Sequence, residues 1–245
     1  MYRKGWGQAT YGQAIGIIMQ SDLMARIPGD IGNASTFCFP VRYKIVRDVS
    51  GEMTVRPNVV EYADRFIAAA KELEEEGVRA ITTGCGRLSV LQRELSGAVN
   101  IPVFTSSLIQ VPLIHAMMPA GQRIAVITAD PSTLSEDHFD GVGWSAKDIP
   151  VVITGVHDNE DFSQLGNAER ISEQSVKQAE SGVIQVVSQL VAENPDVGSI
   201  VFECTNLPPF AAAVQQATQL PVFDIVTLTN MVYNAVVRRG YQGFL

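Results

Sequence analysis

Cys85 and Cys204 are the residues of this 245-residue sequence whose types and spacing point most directly to chemistry. Ile81-Thr82-Thr83-Gly84-Cys85-Gly86-Arg87-Leu88 aligns with Ile200-Val201-Phe202-Glu203-Cys204-Thr205-Asn206-Leu207, each octet an apolar run that ends on a cysteine with leucine shortly after. Continued without a gap, the alignment sets Ile101-Pro102-Val103-Phe104 on Leu220-Pro221-Val222-Phe223. A looser match sets Ile15–Met19 against Ile124–Thr128. Self-similarity of this kind marks two related structural units. A single cysteine at a strand end is most often a small buried hydrophobe, but two at matching places of a repeat imply a shared role. A thiolate on one face of a carbon and a thiol on the other suit a 1,1-proton transfer. One takes the α-proton while the other delivers a proton from behind and inverts the centre. Cys38 has no counterpart in the repeat and is expected to be a buried hydrophobe.

The elements that must position these thiols read as an α/β protein with mostly parallel sheets. Residues 14–19, 78–83, 101–105, 123–128, 150–156, 199–203 and 220–224 are expected strands, most of them continuous apolar runs suited to burial on both faces. A helix is expected from Pro57 to Glu76, with Val60, Ala63, Ile67, Ala70 and Leu73 on its apolar face and Gly77 as its stop. A second is expected from about Asn167 to Ala192. The repeat divides the chain into two pseudo-symmetric lobes, each a mostly parallel sheet flanked by helices, with the active site in the cleft between them. The first comprises residues 1–108 plus 225–245, the second residues 109–224. Ligands of open α/β sheets bind outside the carboxyl ends of the strands, where both cysteines fall. A helix following each cysteine would turn its free N–H groups to the same place.

One segment breaks the rhythm. From Gln20 to Arg56 the connection is far longer than the usual βα loop of about 2–6 residues, and its glycine-bearing part, Pro28 to Asn33, is where a binding element belongs. Tyr43–Val46 and Met53–Val55 flank Ser50-Gly51 and read as an edge hairpin padding the sheet. The acidic run Glu72–Glu76 reads as a solvated helix end. His115, His138 and His157 are expected in a helix and two loops, with surface or capping roles.

Composition narrows the function classes. The chain is 46% hydrophobic and 18% charged, which fits a globular core and excludes bulk disorder. A net charge of −8 argues against a nucleic-acid partner. No apolar run approaches the roughly 18 residues of a membrane span, and Ala14–Met19 is short of the about 7–15 residues of a secretory signal core. Three widely spaced cysteines form neither a disulfide framework nor a zinc pattern. A reduced, cytoplasmic, globular protein without a membrane or nucleic-acid partner is the expectation; a homodimer is the default assembly.

These motifs resemble those of the aspartate/glutamate racemase superfamily, which includes cofactor-independent amino-acid racemases, hydantoin racemases, maleate isomerase and arylmalonate decarboxylase. Cys204-Thr205-Asn206-Leu207-Pro208 is similar to the family's Cys-Thr-x-x-Pro element, and Ile15-Gly16-Ile17-Ile18 to its first strand. Cys85-Gly86-Arg87 stands where the family usually has Cys-Asn-Thr or a similar polar triplet. The aspartate and serine that come directly after the first strand in glutamate racemase are replaced by Met19-Gln20-Ser21-Asp22. The histidine two residues after the second cysteine is replaced by Asn206. The resemblance implies that Cys85 and Cys204 are the paired acid and base. Thr205 and the backbone N–H groups beside both cysteines would hold a substrate carboxylate, with Gly86, Arg87 and Asn206 at the same site. Thr128 would add a hydroxyl, Asn33 would orient the substrate, and Asp30 would meet its amino group. The implied activity is a racemase or epimerase that inverts a carbon alpha to a carboxylate, with no cofactor and no metal. A cysteine-dependent cis–trans isomerase or decarboxylase of a dicarboxylate is the alternative, and a non-catalytic small-acid sensor a third.

Overall fold

The computed structural model describes residues 10–55, 57–166 and 171–243. Among them, two four-stranded parallel sheets form the frame. β1 (Ile15–Gln20), β2 (Val41–Val46), β3 (Ala80–Thr83) and β4 (Val103–Phe104) assemble in the order β2-β1-β3-β4. β5 (Arg123–Thr128), β6 (Val151–Gly155), β7 (Val197–Phe202) and β8 (Val222–Phe223) assemble as β6-β5-β7-β8. The repeat holds down to individual pairings: Ile81 lies opposite Val103 and its counterpart Ile200 opposite Val222. Ile15 likewise pairs with Ala80 as Ile124 pairs with Ser199. Every residue of β1 and of β7 is buried, as central parallel strands covered on both faces require.

Side-chain alternation sends each strand into two cores. Ile18 and Ile81 pack under α2 (Ala63–Glu75), where Phe66, Ala69 and Leu73 face inward, and under Leu95 of α3 (Gln92–Ala98). On the opposite face of the same sheet, Ile15 and Ile17 meet Phe37, Phe39 and two residues of α9 (Ile225–Val236), Ile225 and Leu228. In the second sheet Ala125 and Ile127 pack on Val183 and Val187 of α7 (Glu173–Glu193) and Val214 of α8 (Ala211–Thr218). Ile124 and Val126 meet Val111 and Ile114 of α4 (Val111–Met117) together with Phe139 and Trp144. The helix after β4 therefore covers the second sheet, and the helix after β8 returns to cover the first.

Local structure departs from the sequence expectation in several places. Residues 41–55 form no hairpin: β2 pairs in parallel with β1, from Ile15 opposite Val41 to Gln20 opposite Val46. Parallel pairing needs a crossover, and residues 21–40 supply one without a helix beyond the single turn Ala34–Thr36. Gly51–Val55 is then a short helix, α1, started by the Asp22 carboxylate, which accepts twice from the Gly51 N–H at 2.9 and 2.7 Å. The helix expected from Pro57 is a 3₁₀ segment, Pro57–Tyr62, before α2, and Val60 is exposed because that segment runs ahead of the packed helix. Ser172 caps α7, and the expected start of that helix at residues 167–170 lies outside the described residues, as do residues 1–9 and 244–245 of the first lobe. Cys38 is exposed, not buried, since its neighbours Phe37 and Phe39 take the inward positions. His138 sits in α5 (Glu136–Gly141) as the capping partner of Ser135. The acidic end of α2 is tied to β2, with Arg42 and Lys44 pairing Glu76 and Lys44 also pairing Glu72. No helix of the described residues is long and apolar enough to cross a membrane.

Candidate active site

Both cysteines leave their strands by the same turn. The Gly84 N–H donates to the Ile18 carbonyl at 2.8 Å, and its counterpart, the Glu203 N–H, donates to the Ile127 carbonyl at 2.8 Å. The Cys85 carbonyl then accepts from Leu88 N–H at 3.1 Å and the Cys204 carbonyl from Leu207 N–H at 3.2 Å. Each cysteine leads into a 3₁₀ turn, Gly86–Leu91 or Pro208–Phe210, and the α-helices begin only at Gln92 and Ala211. The expected helix N-terminus is thus present at Cys85, which caps a six-residue 3₁₀ helix running directly into α3, whereas after Cys204 the first helical residue is Pro208, four positions on.

The two turns interlock across the lobes. The buried Thr205 hydroxyl donates to the Gly84 carbonyl at 2.7 Å. Gly86 lies so close to Glu203 that a Cβ there would run into the Glu203 backbone carbonyl and side-chain carboxyl. Glycine is required by this approach of two segments of the backbone. Between the turns lies a cavity of about 310 Å³ that Cys85, Gly86 and Arg87 line from the first lobe and Cys204, Thr205 and Asn206 from the second. Gln20, Asp22, Arg26 and Glu203 complete its polar wall. Beside it a second hollow of about 180 Å³ shares Met24, Ala129, Gly166, Cys204 and Asn206 with the first.

The charges around the two thiols differ. Arg87 is half-buried, and its guanidinium is held above its usual value, foremost by the negative charge of Cys85 and then by that of Glu203, with burial opposing. Its Nε is buried without a protein partner, and one terminal nitrogen donates weakly to the Gly51 carbonyl at 3.4 Å. Cys85 Sγ stands 4.0 Å from the buried Thr54 hydroxyl, which donates to Gly51 O and accepts from Gln20. Cys204 is different. Burial first and then the charge of Glu203 push its thiol up to about 12, against the pull of the Asn206 N–H and Arg87. Its S–H donates to Asn206 Oδ1 at 3.7 Å. Glu203 itself is buried and raised above the carboxylate range by that burial, although Thr128 donates to its Oε2 at 2.6 Å; its Oε1 has no partner.

The structure brings Cys85, Gly86, Arg87, Cys204, Thr205 and Asn206 together around one cavity. Asp30 is buried on the wall of the adjoining hollow, where its carboxylate accepts from Gly32 N–H at 2.6 Å, Asn206 Nδ2 at 2.6 Å and Arg26 at 3.2 Å. Thr128 and Asn33 line neither space. The Thr128 hydroxyl is engaged by Glu203, and Asn33 caps the turn Ala34–Thr36 while donating to the Arg26 carbonyl at 2.7 Å. Glu203, Arg26 and the apolar residues of the hollow were not expected from the sequence. Glu203 had a signal, since it replaces Gly84 at the one octet position beside the cysteine where the copies differ in charge. His157, expected at the surface or as a cap, is exposed and also lines the hollow. Among the described residues no three of His, Cys, Asp or Glu gather as a metal site.

No family model matches the chain. A dimethylsulfoniopropionate lyase of Durusdinium sp. clade D is 32% identical over 207 residues, covering 82% of this chain and 67% of that protein. Dimethylsulfoniopropionate lyase 7 of Emiliania huxleyi is 32% identical over 210 residues, again 82% of this chain, but this chain spans only 61% of that protein. Solved structures share the fold. An arylmalonate decarboxylase variant in its sulfate-associated form aligns with a TM-score of 0.60 at 14% identity, over 92% of this chain and 94% of that one. A glutamate racemase from Francisella tularensis in complex with D-glutamate aligns at 0.56 and 14%, over 91% and 81%. An aspartate racemase homologue from Pyrococcus horikoshii aligns at 0.54 and 16%, over 91% and 99%.

Proposed function

We propose that this chain, which belongs to the family of the dimethylsulfoniopropionate lyases and, by fold, to the aspartate/glutamate racemase superfamily, is a lyase that eliminates a β-leaving group from a small carboxylate. Dimethylsulfoniopropionate is the substrate that its relatives' name suggests. The observation that carries this reading is the unlike surroundings of two thiols on one cavity. A two-base racemase needs each thiol to serve as base in one direction and as acid in the other, so neither can be held protonated throughout. An elimination runs in one direction and needs one base. Arg87 stands beside Cys85, while burial and Glu203 keep Cys204 protonated.

Cys85 is the base that removes a proton from the carbon alpha to the carboxylate. The C–H electron pair becomes the new C=C bond, and the bond from the β-carbon to the sulfonium breaks with its pair going to sulfur. Dimethyl sulfide leaves neutral, acrylate remains, and the proton on Cys85 passes to water. The unpartnered Nε of Arg87 and the turn amides at Gly86 and Thr205 hold the carboxylate and stabilise the enolate-like state. Cys204 closes the opposite face as a neutral thiol held by Asn206. A two-thiol racemase is the second reading, favoured by both cysteines lining the same cavity.

One experiment separates the two. The protein is incubated in deuterated water with dimethylsulfoniopropionate and, separately, with aspartate and glutamate, following headspace dimethyl sulfide, acrylate and the α-hydrogen. Dimethyl sulfide and acrylate are expected in equal amounts, with Cys85→Ser lowering kcat by about a hundred- to ten-thousand-fold and Cys204→Ser by much less. Racemisation of an amino acid without sulfide release, abolished equally by both substitutions, would replace the lyase reading.

A further inference from the structure

The hollow beside Cys204 has no part in the proton transfer, and its chemistry differs from that of the main cavity. Ala25, Ile27, Phe162 and Leu165 give it apolar walls. Arg87 and Arg26 line the main cavity, Arg26 also pairing Asp30 at 3.2 Å from that side, whereas the hollow's described lining holds His157 but no arginine or lysine. Its carboxylate is Asp30, fixed by Gly32, Asn206 and Arg26. Cys85 lines only the main cavity, and Cys204 lines both spaces. A ligand anchored by a carboxylate at Arg87 therefore presents its α-carbon to Cys85 and runs its β-substituent past Cys204 into the hollow.

Resting on the lyase reading, we propose that this hollow is the leaving-group pocket and that it selects zwitterions, with a carboxylate at the Arg87 end and a compact onium cation at the Asp30 end. The methyl groups of a sulfonium or quaternary ammonium fill the apolar walls. Its charge, spread over those methyls, faces the Asp30 carboxylate and the Phe162 ring. When the carbon–sulfur bond breaks, the cation becomes a neutral apolar sulfide, which suits the same walls better than the water outside. Asp30 and Phe162 are thus specificity-determining residues, and Arg87 and Asp30 set the polarity along which the substrate lies.

The test uses a pair of non-reacting ligands of the same shape: trimethylammoniopropionate, and the same molecule with carbon in place of the nitrogen. Calorimetric titration of the full chain is expected to show the zwitterion bound about tenfold more tightly than its uncharged-tail isostere. Asp30→Asn is expected to bring the two affinities to within about twofold by weakening the zwitterion alone. Phe162→Leu, which leaves the Asp30 loop intact, is expected to weaken the zwitterion about threefold. Equal binding of the two ligands by the unaltered protein would overturn the pocket, as would a preference that survives both substitutions. Sulfide release separates the two claims. A zwitterion preference without any release from dimethylsulfoniopropionate upholds the selectivity of the hollow but sinks the lyase reading and with it the leaving-group role, while release without a preference sinks the selectivity alone.

Discussion

Where the first half of the repeat has Gly84 ahead of its cysteine, the second half has Glu203, a buried acid with one oxygen held by Thr128 and the other without a partner. Burial raises its proton affinity in the folded state above the ordinary value of 4.5. Below that pH both folded and unfolded chains hold the proton. Above it the unfolded chain releases a proton that the folded chain keeps, so stability falls as pH rises toward the folded value. Glu203→Gln keeps the shape and removes this slope. It is expected to raise the melting temperature by about 2–4 °C near pH 8 and by less near pH 5, the size of shift that about 1 kcal/mol gives in a chain of this length. Equal gains at the two pH values would mean that Glu203 is not the titrating group. Arg87 has the opposite character, a permanent cation whose Nε has no protein partner. Arg87→Met is expected to raise KM for a carboxylate substrate roughly 10- to 150-fold, matching the roughly 1.5–3 kcal/mol of a charge-assisted hydrogen bond. Steady-state kinetics with kcat and KM resolved would check this.

At the scale of elements, the turns after β3 and β7 decide the geometry of the site. The first runs into six residues of 3₁₀ helix and the second into three, and their close approach depends on the missing side chain of Gly86. Gly86→Ala places a methyl against the Glu203 backbone, which cannot yield without moving Cys204. It is expected to cost about 1–3 kcal/mol in a urea titration and to abolish turnover. Normal turnover in that variant would show that the turns are not the frame of the site. These turns were legible in part. The octet repeat located both cysteines at strand ends, because continuous apolar runs signal buried parallel strands. The 3₁₀ geometry was hidden, since Arg87-Leu88-Ser89-Val90-Leu91 has the apolar spacing of any helical start. Residues 41–55 misled for a related reason. A β-branched run with Ser50-Gly51 reads locally as a hairpin, but the partner of β2 is β1, and the carboxylate that starts α1 belongs to distant Asp22.

At the scale of the whole molecule, the lobes are bound by exchanged helices. α4 comes after the first sheet and buries Val111 and Ile114 on the second, while α9 comes after the second sheet and buries Ile225 and Leu228 on the first. Gln110 at the head of α4 donates to the Asp224 carbonyl at the head of α9 at 2.9 Å, and Ser107 donates across to Phe202 at 2.6 Å. Neither sheet keeps both faces covered if the other lobe unfolds. Calorimetric unfolding is therefore expected to show one transition whose calorimetric and van't Hoff enthalpies agree. Two separate transitions would show that the lobes are independent.

By itself the sequence determined the repeat, the central strands and the cysteine at the end of one strand in each half. Those are properties of local apolar pattern and of residue order, which the chain carries whether folded or not. It did not determine how the thiols differ. That difference comes from burial of Cys204 beside Glu203 and from Arg87 beside Cys85, and from a hollow walled by Ile27, Phe162 and Leu165. Desolvation and Coulomb interaction depend on which remote segments are brought within a few ångströms, so only the tertiary structure could decide them.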